Sequence, residues 1–299
     1  MFELTKLLVI VDADTDFQPA LDKAAELARH TGAELELFIA DFSVYLEDGY
    51  YFEPARAQLL RERHAQKQIN DLERMAKPLR DEGLKVSYSC SWRRPVYEQI
   101  IEKVEKTNPS LVIKSTQPHN NLLSTLLSNE DWNLIRYCPA PLLLVKVGSW
   151  GTKPIFIAAV DPGHQHDKPA ALDHKLIDVA QALAKTASGE VHLFHSTKLP
   201  SLSGLYPLNE DYEVDLEKTG KLAAKHSIEK ARCHMSELDV RQSLPQLVSD
   251  LDAAVVIMGG ISRSRLDRFL IGNTAEKVLD KVWSDVLVVK PDPRQKLLM

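Results

Sequence analysis

Glycines and small polar residues follow two predicted elements in the second half of the chain. The turn MGGIS carries Gly259, Gly260 and Ser262, and the stretch GNT, residues 272–274, opens a predicted helix. Backbone N–H groups at a glycine-rich turn and at a helix N-terminus can bind an anion, which the helix dipole also favours. This pattern is typical of a phosphate site, but ordinary turns share the spacing, so a binding loop and a structural turn both stay open.

A carboxylate, Asp161, ends the first predicted strand of the same half. Such a residue contacts a ribose hydroxyl or a metal in some proteins and caps a turn in others. Ligands of open α/β sheets bind beyond the carboxyl ends of the strands, where the strand order switches. The predicted ligand site has no catalytic residue and no metal, and consists of Asp161, Gly259, Gly260, Ser262, Gly272, Asn273 and Thr274.

The elements that would position this site occur twice. The segment from Leu111 to Lys146 aligns without a gap with the segment from Val255 to Lys290, and their apolar positions coincide. Upstream, Asp12 falls on Asp161. Self-similarity over this length indicates a duplicated structural unit. We predict two domains, residues 1–148 and 152–299.

Each copy alternates short apolar strands with amphipathic helices. The runs LLVIV, FIAAV, LVIK, VVIM, LLLVK and VLVVK bear no polar alternation. Continuous apolar strands between helices predict a parallel sheet covered on both faces. Pro95 and Pro245 are predicted in the first turn of the helix that follows each of them, where proline costs no hydrogen bond.

The motifs VDPG at 160–163 and VLVVKP at 286–291, with the run between Met258 and Val278, resemble the universal stress protein family. The likeness extends over nearly the whole chain and is greatest to the tandem-domain type. It implies two Rossmann-like domains of the adenine nucleotide alpha hydrolase-like type. Each would hold a five-stranded, mostly parallel sheet with helices on both faces. The domains would pack as a pseudo-twofold internal dimer in which LLLVK and VLVVK meet.

The nucleotide motif of the family is kept in part by the second copy. The pattern is Gly, two residues, Gly, nine residues, Gly, then Ser or Thr; Gly259 and Gly272 match it. Ser262 replaces the second glycine, and Asn273 replaces the hydroxyl residue. The resemblance thus implies ATP or AMP as a cofactor of the C-terminal domain.

The first copy departs further from the motif. Ser115, Pro118 and Ser128 stand where the second copy has Gly259, Ser262 and Gly272, and Glu130 aligns with Thr274. Proline removes a backbone donor, side chains crowd the approach of a phosphate, and a carboxylate at a helix start competes with an anion. We therefore expect no nucleotide in the first copy and a structural role for Asp12.

Four histidines of the second copy are candidate metal ligands. His164 and His166 share one loop, for which a polar surface role is favoured over a metal site. His192 and His195 point to opposite faces of one strand, so they cannot hold a metal together, and packing roles are predicted for them.

Composition and net charge limit the classes of partner that the protein could bind. The 299 residues carry a net charge of −5, which argues against a nucleic-acid footprint. Three widely spaced cysteines and an apolar N-terminal run interrupted early by Asp12 predict a reduced, cytoplasmic protein without a membrane segment. A small-molecule ligand or an unknown protein partner is expected, and a further homodimer stays open.

Three functions compete. The favoured one is a non-enzymatic stress-response protein that binds a ligand or partner through its C-terminal domain. The second is a carrier of an apolar or nucleotide-linked metabolite, held near the aromatic segments 42–54 and 199–216, which are also interpretable as lids over the core. The third is a slow ATPase at the loop around Gly259 and Gly272.

Overall fold

A computed structural model provides the structure. It describes residues 2–13, 15–43, 54–116, 127–146, 149–163, 171–197, 209–260, 278–279 and 281–291. These residues divide into two compact units. The N-terminal unit comprises residues 4–115 and 138–140, and the C-terminal unit comprises residues 1–3, 116–137 and 141–299. No helix among the described residues is both long and apolar enough to cross a membrane.

The described part of the N-terminal unit is a parallel sheet of strands in the order β3-β2-β1-β4. The strands are β1 Lys6–Ile10, β2 Glu34–Asp41, β3 Val86–Trp92 and β4 Leu111–Ser115. Its helices are α1 Pro19–Thr31, α2 Pro54–Asp81 and α3 Val96–Thr107. Helix α1 packs against β1, β2 and β4, α2 packs against β2 and β3, and α3 packs against β2. The apolar runs LLVI of β1 and LVI of β4 are buried, as expected for strands covered by helices.

The C-terminal unit repeats this plan. Its sheet has the order β5-β10-β9-β6-β7-β8, in which every pairing is parallel except that of β5 with β10. The strands are β5 Leu142–Val145, β6 Ile155–Ala159, β7 Glu190–Ser196, β8 Cys233–Ser236, β9 Val255–Gly259 and β10 Asp285–Val289. The helices are α4 Asn129–Tyr137, α5 Ala171–Thr186, α6 Asn209–Lys225 and α7 Val240–Asp250, with a 3₁₀ turn at Lys230–Arg232.

The last strands of the two copies meet within the C-terminal unit, as predicted. Strand β5 of the first copy pairs antiparallel with β10 of the second, and Leu143 lies opposite Leu287. After each strand comes a lysine whose ammonium group binds main-chain carbonyl oxygens of the other copy. Lys146 donates to Leu279 and Val282, and Lys290 donates to Arg136. The copies are therefore joined by reciprocal hydrogen bonds as well as by the sheet.

One sequence prediction is wrong in this fold. Pro245 does not begin a helix, because α7 starts five residues earlier and contains this proline. Asp239 caps the helix by accepting a hydrogen bond from the main-chain N–H of Arg241 at 2.8 Å. An Asp N-cap satisfies an otherwise unpaired donor and sets the start of the helix. Pro95 stands at the N-cap of α3, immediately before its first turn.

Candidate functional site

The switch in strand order within the C-terminal unit lies between β6 and β9. From β6 the chain moves outward to β7 and β8, then returns to β9 on the other side of β6. Ala159 pairs with Met258, so Asp161 and the glycines at 259 and 260 follow strand ends that lie side by side. Three of the predicted site residues are thereby brought to the position where α/β sheets bind ligands.

A tight turn, Val160–Gly163, carries Asp161 away from the sheet. The N–H of Val160 donates to the carbonyl oxygen of Phe194 at 2.9 Å, which prolongs the pairing of β6 with β7. The N–H of Asp161 donates to Oδ1 of Asp173 at 3.1 Å. Asp173 lies in the first turn of α5 and is only 5% exposed. The main-chain N–H groups of Val160 and Asp161 thus hold the turn in place, independently of the Asp161 side chain.

A buried imidazole, that of His195 on β7, lies beneath this turn. Its Nδ1 is 3.0 Å from the carbonyl oxygen of Val160, and its Nε2 is 3.3 Å from Oδ2 of Asp215 on α6. Oδ1 of Asp161 lies 4.0 Å from the same Nδ1. Both ring nitrogens face oxygen acceptors. His195 therefore connects the turn to helix α6.

Two glycines at this level, Gly163 and Gly259, pack closely against side chains of neighbouring helices. A Cβ atom on Gly163 would lie 2.5 Å from Oδ1 of Asp215, and one on Gly259 would lie 2.8 Å from Cδ2 of Leu172 in α5. The N–H of Gly260 donates to the carbonyl oxygen of Val289 at 2.9 Å. That donor is engaged within the sheet, so the Gly259–Gly260 pair offers fewer anion contacts than its sequence predicts.

Four predicted site residues lie outside the described part of the chain: Ser262, Gly272, Asn273 and Thr274. Their role as ligands stays a prediction from sequence. His164 and His166 also lie outside it. Among the described residues, no group of three or more His, Cys, Asp or Glu side chains is arranged to hold a metal ion.

The same level of the first copy is built differently. The N–H of Asp12 donates to Oε1 of Gln18 at 3.2 Å, instead of to a carboxylate on the following helix. Ser115, which aligns with Gly259, accepts the N–H of Ala20 at 3.0 Å and so occupies a donor at the start of α1. Ile39, 1% exposed, holds the strand position that His195 holds in the second copy. The first copy thus has an apolar residue where the second has a buried imidazole.

Sequence reasoning missed the partners of the histidines. His192 and His195 do face opposite ways, but both are hydrogen-bonded: Nδ1 of His192 lies 2.9 Å from Nε2 of His234 on β8. Likewise, Nδ1 of His174 on α5 lies 2.7 Å from Nε2 of His226 at the end of α6. Burial lowers the pKa of His192, His226 and His234. No sequence pattern joins these residues, since more than forty positions separate the members of each pair.

Comparison with known proteins extends these observations. Universal stress protein E of Photorhabdus laumondii is 26% identical over 98% of this chain and 96% of its own length. Universal stress protein E of Escherichia coli K12 is 27% identical over 97% of this chain and 95% of its own. A functionally unknown protein of Pseudomonas aeruginosa PAO1 has a crystal structure with a TM-score of 0.76, at 29% identity, covering 97% of this chain and 93% of that one.

The profile described as the universal stress protein family matches the chain twice, at residues 3–146 and 160–290. The two matches coincide with the duplication, and the sheet order within the C-terminal unit agrees with the Rossmann-like fold predicted from the resemblance. The chain therefore belongs to the universal stress protein family, with two of its domains in tandem.

Proposed function

We propose that the chain is a non-enzymatic, cytoplasmic stress-response protein whose second copy, within residues 152–299, binds an adenine nucleotide and signals that binding to a protein partner. The first copy, residues 1–148, serves as the structural counterpart. Stress response is the character of the family to which the chain belongs. The choice of ligand and of copy is our proposal.

One observation carries it. Asp161 and the glycines 259 and 260 follow adjacent parallel strands at the switch in strand order, where a crevice between diverging crossovers receives a ligand. In the first copy, the equivalent place holds the Ser115 hydroxyl and its hydrogen bond to α1. The second copy is therefore the better candidate.

The roles of the residues follow from their chemistry. The carboxylate of Asp161, with its side chain 23% exposed, is suited to accept hydrogen bonds from ribose hydroxyls. The predicted helix start at Gly272, Asn273 and Thr274 is suited to the phosphates. The engaged N–H of Gly260 leaves the helix start as the main source of phosphate donors. With few phosphate donors, the protein should gain most of its binding free energy from the nucleoside. We therefore expect AMP and ATP to bind with comparable affinity.

Native mass spectrometry of freshly purified protein, followed by organic extraction, tests the proposal. We expect one adenine nucleotide for each chain, and isothermal titration of the stripped protein should recover one site. A lipid-like mass would replace the proposal by the metabolite carrier. A chain that is empty and does not titrate with ATP or AMP would refute nucleotide binding. Phosphate release from ATP by the pure protein would contradict the non-enzymatic assignment.

A further inference from the structure

We propose that His195 and Asp215 form a positioning clamp that holds the turn Val160–Gly163, and with it the Asp161 carboxylate, in the geometry that binds ligand. The clamp joins the strand end of β6 to helix α6 through a single imidazole. The inference rests on the proposed nucleotide-binding function for its consequence, but the clamp itself is testable without any ligand.

The contacts of the clamp converge on one turn. Nδ1 of His195 is 3.0 Å from the carbonyl oxygen of Val160, at the first residue of the turn. Asp215 meets His195 at 3.3 Å and also packs on the last residue, since a Cβ on Gly163 would lie 2.5 Å from its Oδ1. The two side chains therefore grip both ends of the four-residue turn.

Charge explains why an imidazole is placed there. The turn carries the carboxylate of Asp161 and lies next to those of Asp173 and Asp215, and Nζ of Lys218 lies 3.9 Å from Oδ1 of Asp215. Like charges repel strongly where water is excluded. An imidazole between Asp161 and Asp215 separates the two carboxylates and offers a donor to one of them. Its removal would let Asp161 move away from Asp215 and out of its binding orientation.

The first copy shows that the fold does not need this histidine. Ile39 fills the equivalent position in β2 and is 1% exposed, as His195 is. An apolar side chain at a buried site avoids the cost of desolvating an imidazole. Because one copy has the apolar solution and the other has the polar one, the imidazole is assigned to the site and not to the core.

His195→Ile therefore gives the second copy the residue of the first, and His192→Ile is the matched control, since it removes another buried histidine of the same strand. Hydrogen exchange of the ligand-free, full-length protein should accelerate at least tenfold at the amides of Val160 and Asp161 in His195→Ile. The control should leave these amides unchanged. Should His195→Ile fail to fold, His195→Gln retains one donor and should give an intermediate acceleration.

The nucleotide measurement is separate. In His195→Ile the Kd for ATP should rise about tenfold, which corresponds to about 1.4 kcal/mol. In an Asp161→Asn background the same substitution should change the Kd less than twofold, because it acts through Asp161. Unchanged exchange in a folded His195→Ile variant would overturn the clamp. Wild-type protein that binds no ATP while the exchange still accelerates would overturn the nucleotide function and leave the clamp supported.

Discussion

In each copy a histidine–aspartate pair links the second strand to the helix that follows. The strand supplies the aspartate in the first copy and the histidine in the second. In the first copy the strand supplies Asp41 and helix α2 supplies His64, with Nε2 2.7 Å from Oδ2. In the second copy the strand supplies His195 and helix α6 supplies Asp215, 3.3 Å apart. The two pairs do not occupy equivalent strand positions, since Ile39, and not Asp41, corresponds to His195.

The pairs also differ in depth. The side chains of Asp41 and His64 are each 29% exposed, and Gln68 supplies a further donor to Asp41 at 2.8 Å. The side chains of His195 and Asp215 are 1% and 13% exposed, and they lie against the turn that bears Asp161. A link at the rim stabilises only the crossover, whereas a buried link also shapes the turn above it. In our proposal the exposed pair is structural, and the buried pair supports the site.

The largest expected effect is on ligand affinity. Asp161→Ala should raise the Kd for ATP about 10- to 100-fold, because a hydrogen bond to a charged group contributes about 1.5–3 kcal/mol. Asp12→Ala, the equivalent change in the first copy, should leave the Kd within twofold. Isothermal titration of both variants measures the contrast. Equal losses would remove the distinction between the copies.

The two histidine–aspartate pairs should contribute differently to the free energy of unfolding. Asp215→Ala leaves the buried Nε2 of His195 without its acceptor, which should lower the free energy of unfolding by about 1–3 kcal/mol. His64→Ala breaks a more exposed pair and should cost less than about 1 kcal/mol. Urea denaturation followed by circular dichroism compares them. A larger loss for His64→Ala would contradict the assigned difference in depth.

Acid should weaken the second copy through its paired histidines. Burial lowers the pKa of His192, His226 and His234, so the folded state favours their neutral forms. As the pH falls below about 6.5, the unfolded chain binds protons first, and the free energy of unfolding decreases.

Thermal unfolding of the C-terminal unit between pH 7 and pH 5 provides the measurement. His192→Gln should reduce the dependence on pH, whereas the exposed His30→Gln is the matched control and should leave it as in wild type. Stability that is constant or increases as the pH falls would contradict burial as the cause.

The smallest effect is expected at the strand-end glycine. Gly259→Ala should cost about 1 kcal/mol, because the added Cβ would lie 2.8 Å from Cδ2 of Leu172 and that side chain must shift. Gly220→Ala, where the added Cβ meets no atom within 4 Å, should instead stabilise helix α6 by about 0.5–1 kcal/mol. Urea denaturation should therefore show a lower free energy of unfolding for Gly259→Ala and a higher one for Gly220→Ala. A gain at Gly259 would show that close packing does not require this glycine.

The sequence predicted the elements whose pattern is local. Apolar runs located the buried strands, including β5 and β10, and the family resemblance implied that these two strands meet. The third strand of each copy has a different pattern, because β3 and β8 pair on one side only within their units and alternate apolar with polar residues, VSYSCSW and CHMS. Strict alternation over four to eight residues is the pattern of a strand with one apolar face. The N-cap at Asp239 was missed in favour of Pro245.

The candidate site was predictable only in part. Asp161 and the glycines were found because strand ends of a parallel sheet meet at one edge. His195 was assigned to packing, since its partner Asp215 lies twenty residues away on a helix that begins within the aromatic segment 199–216. Only the angle at which that helix crosses the sheet brings the two together. Pairings made by tertiary structure leave no trace in a single sequence.

The central claim is that the second copy alone binds the nucleotide. Hydrogen exchange with and without saturating ATP tests it directly, with peptides that cover residues 158–163 and 256–260 in the second copy and residues 9–13 and 112–116 in the first. We predict that ATP slows exchange in the first pair of peptides and leaves the second pair unchanged. Protection of the first copy, or of neither copy, would contradict the account.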